Sequence, residues 1–182
     1  MKKQSNTLYV LRISLTLLLI TSVVAALLAG VNMITAPIIA AANEAKTQEA
    51  IEAVLPGGGQ PIPFTDTTGL VQQVYASDLG YAVQVTPSGF DGEIHMMVGI
   101  DKVGKVLDIS IISHTETAGL GAVAAADNAK GEAFRDQFIG MTGPLSVTKD
   151  GGQVDAITGA TITSRAVTDG INAALACVEA LG

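Results

Sequence analysis

Cysteine is almost missing from this sequence. Cys177 stands alone, so no intramolecular disulfide and no cysteine-built metal site can form. Only two histidines occur, His95 and His114, too few for a histidine metal centre, so no metal site is expected. Acid is missing from the first 43 residues, whose only charges are Lys2, Lys3 and Arg12. Residues 43–182 hold all 17 acids, beginning at Glu44, and the other seven bases, a net charge of −10. Such asymmetry marks two regions in different surroundings. Nucleic acid is excluded as a partner, because phosphate backbones are bound by basic surfaces.

What fills the acid-free region is apolar. No charged residue lies between Ile13 and Asn43, and Ile13 to Val31 reads ISLTLLLITSVVAALLAGV. About 20 apolar residues suffice for a helix to cross a membrane, with every backbone polar group paired inside the helix. The bases before the run and the acids after it place the N-terminus in the cytoplasm and residues 43–182 outside, in a single-pass topology. A cleavable signal peptide is the competing reading, with Ala40–Ala42 as a cleavage site. Its apolar core would be only about 7–15 residues, shorter than this run, which favours a retained anchor.

The remainder divides into a helix and linker over 43–69 and a folded domain over 70–182. Asn43 is expected to cap a short helix with Ile51, Val54 and Leu55 on its apolar side. Residues 56–69, rich in Pro, Gly and Thr, read as a loop. Four strands are expected at Leu70–Ala76, Tyr81–Thr86, Glu93–Ile100 and Lys105–His114. In the last of them, Leu107, Ile109 and Ile111 alternate with Asp108 and Ser110. The short turns between them favour an antiparallel meander. Gly131–Ile139 reads as a helix with Phe134 and Phe138 on one face as core. Leu145–Lys149 and Val154–Ile157 read as a hairpin around Asp150-Gly151-Gly152. A last helix starts near Ser164, with Val167, Ile171, Ala174, Leu175 and Val178 inward and Cys177 as a packed side chain. The fold class is α+β.

Chemistry is concentrated in Asp155-Ala156-Ile157-Thr158-Gly159-Ala160-Thr161-Ile162-Thr163-Ser164. A strand ends, a glycine turn follows, and a helix starts with Thr163 or Ser164 as its N-cap. Free N–H groups and the helix dipole make such a start a phosphate site. Gly159 and Ala160 let backbone approach a bulky ligand, and Thr161 adds a hydroxyl. An ordinary capped strand-to-helix turn has the same appearance.

Asp155-x-x-Thr158-Gly159-Ala160-Thr161 resembles, at every specified position, the acceptor motif for covalent flavinylation. That motif belongs to the FMN-binding domain shared by the G subunit of the Rnf electron transport complex and the C subunit of the Nqr complex. The resemblance extends over nearly the whole chain. It includes the single N-terminal anchor, His114-Thr115-Glu116-Thr117-Ala118-Gly119-Leu120-Gly121, the run Phe134-x-x-Gln137-Phe138-x-Gly140, and Gly89-Phe90-Asp91-Gly92-Glu93-Ile94. The chain lacks larger insertions, which favours the Rnf family over its counterpart in the sodium-pumping NADH:quinone oxidoreductase.

The resemblance implies FMN joined through its phosphate to Thr161 by a separate flavin transferase that takes it from FAD with magnesium. It further implies cofactor contacts at Asp155, Thr158, Gly159, Ala160, Thr163 and Ser164. Glu116, Thr117, Gly119, Leu120 and Gly121 would line the ring or ribityl chain, or merely shape a turn. His114 is either a proton donor to reduced flavin or a polar residue at a strand edge. The function implied is an electron carrier within a bacterial or archaeal membrane complex that moves electrons between ferredoxin and NAD and couples this to ion transport. A cofactor-free extracytoplasmic binding or scaffold domain is the rival from another class.

Overall fold

The structure is a computed structural model and describes residues 3–181. By internal contacts the chain divides after Ala45 into two units. The first is helical throughout its described residues, as part of α1 (Lys3–Val54). Within α1, Leu8–Val54 is the one segment among the described residues long and apolar enough to cross a membrane. Its mean hydropathy reaches 2.4, and none of its most apolar window is buried. Pro37 stands inside the helix. The short helix expected from Asn43 is not separate: α1 continues through Ala40–Ala45, where four Ala and Glu44 favour helix and no Gly or Pro breaks it.

The second unit holds a five-stranded antiparallel sheet in chain order: β1 (Gln60–Ile62), β2 (Val71–Ala76), β3 (Gly80–Val85), β4 (His95–Asp101) and β5 (Val106–Ser113). Consecutive strands pair because the turns between most of them are too short for a crossover. β1 falls inside the stretch expected to be loop. Pro61 is tolerated there because β1 is an edge strand, pairing only with β2.

Strand alternation sorts the sheet's side chains onto two faces. Val83, Val85, Met96, Val98 and Ile100 meet Val167, Ile171 and Ala174 of α3 (Thr161–Glu179) in the main core. Ala82 and Met97 point the other way, onto Ala50, Ile51 and Val54 at the end of α1 and Leu55 just after it. Covered on both sides, β4 can be apolar at consecutive positions, as Met96-Met97-Val98 is. β5 does not follow simple alternation. Its pairing with β4 shifts between Gly99 and Ile100, so Val106 and Ile109 are buried while Leu107 is exposed.

α2 (Ala129–Asp136) begins two residues earlier than expected, because the Asn128 side chain accepts from Lys130 N and Gly131 N. It ends earlier as well: Phe138 and Ile139 bond three residues back instead of four. Phe134 and Phe138 pack edge to face, with ring centroids 5.5 Å apart, in the core.

The expected hairpin over 145–157 does not form. Val147 and Val154 make one parallel bridge around a 3-10 turn at Thr148–Asp150. Val154 N donates to Ser146 O, and Gly152 N to Val147 O, so the turn closes on itself instead of extending a ladder.

Candidate functional site

α3 begins at Thr161, three residues before the expected start, and its N-cap is Ala160, which offers no capping side chain. Neither expected cap faces the helix end. Ser164 Oγ accepts from Ile157 N and donates to Ala160 O, both at 3.0 Å, and is fully buried. Thr163 Oγ1 donates to Glu116 Oε2 at 2.5 Å, also buried. Helix geometry leaves the first-turn N–H groups without intrahelical partners, and an Ala cap costs about 1 kcal/mol relative to Ser or Thr. This end of α3 therefore has donors to offer a ligand. Thr161 is half-buried, and its Oγ1 accepts from Lys149 Nζ at 2.7 Å.

Glu116 ties this helix start to the loop before β4. Its Oε1 accepts from Phe90 N at 2.8 Å and Asp91 N at 3.1 Å. Its backbone N donates to His114 Nδ1 at 3.1 Å, which gives His114 a role in the turn after β5. Thr115 Oγ1 donates to Asp91 O at 2.8 Å, a second link across the same gap. Gly121 is required here, since a Cβ at that position would collide with both Glu116 Oε2 and Thr163 Oγ1. Glu116 is thus a buried strut whose two oxygens position Phe90 and α3.

Two cavities flank the motif, and the expected site residues divide between them except for Ser164, which is buried and lines neither. One, of about 340 Å³, is lined by Phe90, Glu116, Thr117, Leu120, Gly121 and residues 159–163. The other, of about 560 Å³, takes Asp155, Thr158 and Gly119 together with Phe134 and Gln137 from the α2 region. Gly159 has φ +80°, and a Cβ there would press on Leu120 Cδ2 at 3.0 Å, at the boundary between the two. Asp155 is exposed. Its backbone, not its carboxylate, is held, by Gln137 through bonds of 2.7 and 3.2 Å.

Three exposed apolar side chains border the first cavity: Phe90, Leu120 and Ile162. Ile162 and Lys149 do not stand out in the sequence as site residues. Lys149 lies twelve positions before Thr161, and only the closed turn brings them together. Ile162 lies before the helix start expected from the sequence, and its place on the exposed side of the first turn of α3 is known only from the structure.

A long apolar helix followed by a small sheet domain, with an uncapped helix start beside an apolar-rimmed cavity, fits a membrane-anchored, ligand-binding protein. Residues 89–176 match the FMN-binding domain family, from the loop holding Phe90 through most of α3. The chain is 34% identical to the G subunit of the proton-translocating ferredoxin:NAD(+) oxidoreductase complex of Clostridium ljungdahlii, covering 95% of this chain and 92% of that one. It is 32% identical to the G subunit of the Na(+)-translocating ferredoxin:NAD(+) oxidoreductase complex of Acetobacterium woodii, over 94% and 92%. Identity is 31% to the G subunit of the ion-translocating oxidoreductase complex of Methanosarcina acetivorans, over 97% and 98%. The chain belongs to the family of G subunits of ion-translocating ferredoxin:NAD oxidoreductase (Rnf-type) complexes, and it is a single-pass membrane protein with an FMN-binding domain.

The local chemistry fits FMN. An uncapped helix start offers N–H donors to a phosphate, and the adjoining cavity offers Phe90, Leu120 and Ile162 to a flat ring.

Proposed function

We propose that Thr161 carries FMN as a phosphoester, and that the loaded domain passes electrons within an ion-translocating ferredoxin:NAD oxidoreductase complex of the kind named for its relatives. The observation that carries this reading is the sorting of the motif's hydroxyls. Thr163 and Ser164 are buried and committed to Glu116, Ile157 and Ala160. Thr158 opens on the other cavity. Thr161 lies at the uncapped end of α3 beside the apolar-rimmed cavity, half-buried and with its oxygen not tied into the core.

FMN supplies the one- and two-electron chemistry; the protein supplies attachment, orientation and electrostatics. The first-turn N–H groups of α3 hold the phosphate, and the cavity rim of Phe90, Leu120 and Ile162 holds the ring, with Glu116 fixing Phe90 from behind. Among the described residues, the only side-chain hydrogen bond at Thr161 Oγ1 comes from Lys149, a donor instead of a base. A threonine hydroxyl without a base is a weak nucleophile, which supports maturation by a separate flavin transferase. Residues 1–42 serve as cytoplasmic tail and anchor, 43–69 as connector and 70–182 as the FMN domain, held outside the cytoplasm by the positive-inside rule.

The test is the intact mass of the denatured protein expressed with and without a flavin transferase. Wild type should gain the mass of one FMN less one water, only when the transferase is present. Thr161→Ala should fold and gain nothing. Acid-stable flavin on Thr161→Ala would overturn the assignment.

A further inference from the structure

Lys149 is a cation held against a neutral group. Its Nζ donates to Thr161 Oγ1 at 2.7 Å, and it makes no ion pair among the described residues. The adjacent acid is committed elsewhere: Asp150 grips Arg165 through two bonds of 2.6 Å. The backbone beneath Lys149 is pinned, since Thr148 N donates to Val154 O at 2.8 Å and Gly152 N to Val147 O at 3.1 Å. An exposed lysine gives up rotamer freedom to keep one geometry, and a single hydroxyl contributes little against that.

We propose that Lys149 is the counter-cation of the phosphate carried on Thr161. The proposal rests on the reading of Thr161 as the attachment residue. A phosphodiester keeps one negative charge, and it would sit on a domain already at −10. An ammonium bonded to Oγ1 stands next to the oxygen that would bear the phosphorus, within range to offset that charge. A compact point charge with three donors suits tetrahedral phosphate oxygens. Lys149 thus acts after attachment, as the residue that holds the phosphate end while the cavity holds the ring.

The test compares wild type, Lys149→Gln and Lys149→Arg in flavin-loaded full-length protein, and the same changes in the flavin-free Thr161→Ala chain. Lys149→Gln should lower the thermal midpoint of the loaded protein by about 2–8 °C and leave the Thr161→Ala midpoint unchanged. Lys149→Arg should restore most of the loss. The difference should vanish in 1 M salt, where charges are screened within about 3 Å. The phosphorus-31 resonance of the loaded chain should move in Lys149→Gln. Equal losses with and without flavin, or an unmoved resonance, overturn the proposal. If Lys149→Gln takes up no flavin while Lys149→Arg does, the positive charge acts during loading, and the proposal of a role after attachment falls. If neither loads, charge alone is insufficient and it falls. Peptide mapping separates the two readings. Flavin on another residue sinks the Thr161 assignment and this proposal with it, whereas flavin on Thr161 with equal losses sinks the Lys149 role alone.

Discussion

Thr161 and Thr163 carry the same hydroxyl two positions apart, and the fold gives them opposite directions. Thr163 points inward to Glu116 and Thr161 outward to Lys149. Removing the inner hydroxyl should therefore damage stability before it damages loading. Thr163→Val leaves Glu116 Oε2 buried without its donor, which costs about 1–3 kcal/mol. The urea midpoint should fall while FMN stays attached, and the flavin absorption bands should shift because Glu116 also fixes Phe90. Intact mass and urea unfolding check this; lost attachment at unchanged stability would mean that Thr163 and Thr161 have been assigned in reverse. Gly121→Ala attacks the same strut from the other side, by forcing Glu116 and Thr163 apart. It should lower stability by about 1–3 kcal/mol.

At the scale of elements, the turn leading into β2 is organised by one carboxylate. Asp66 accepts from Thr68 N at 2.8 Å, Thr68 Oγ1 at 2.7 Å and Val71 N at 3.1 Å. Partial burial alone would raise its pKa, but the Thr68 hydroxyl and the N–H groups of Thr68, Val71 and Gly69 outweigh that and hold it below the usual carboxylate range. A depressed acid stabilises the fold fully above its unfolded pKa of about 3.9, and the contribution is lost as pH falls through the lower folded value. Asp66→Asn should thus lower the urea midpoint at pH 7 and flatten its decline below about pH 4. An unchanged acid limb would mean that other groups govern it. The elements themselves were legible to different degrees. Strand periodicity and short turns located β2 to β5 within two residues, whereas the burial of β4 on both faces emerged only with the end of α1 packed against Met97. The start of α3 was not legible, because a Ser or Thr hydroxyl can cap a helix or turn away from it. The choice here depends on Glu116, 47 positions distant. Asp150-Gly151-Gly152 has the composition of a hairpin turn, yet Val154 returns parallel to Val147. That reversal also hid Lys149 from any reading by local spacing.

For the molecule as a whole, charge and hydropathy divide at the same place in the sequence. Lys2, Lys3 and Arg12 precede the apolar run, and the acidic domain follows it. Basic flanks resist export while acidic residues contribute little, so this order favours a cytoplasmic N-terminus. An exported domain gives the proposed covalent tether a physical purpose, since FMN released outside the cell would be diluted beyond recovery. The orientation can be tested at Lys102, an exposed position in the turn between β4 and β5. Cys177 is buried in the core, and burial, with Asp66 nearby, pushes its thiol pKa up and makes it a poor nucleophile. Replacing it with alanine leaves a clean background for Lys102→Cys. A membrane-impermeant thiol reagent applied to intact cells should label Lys102→Cys, with the outer membrane made permeable where one is present, and the labelled protein should stay in the membrane fraction after an alkaline wash. Labelling only after lysis would place the domain in the cytoplasm. A labelled product that is soluble and shortened near Ala40–Ala42 would mean that the apolar segment is a cleaved signal, leaving the FMN domain with no anchor of its own.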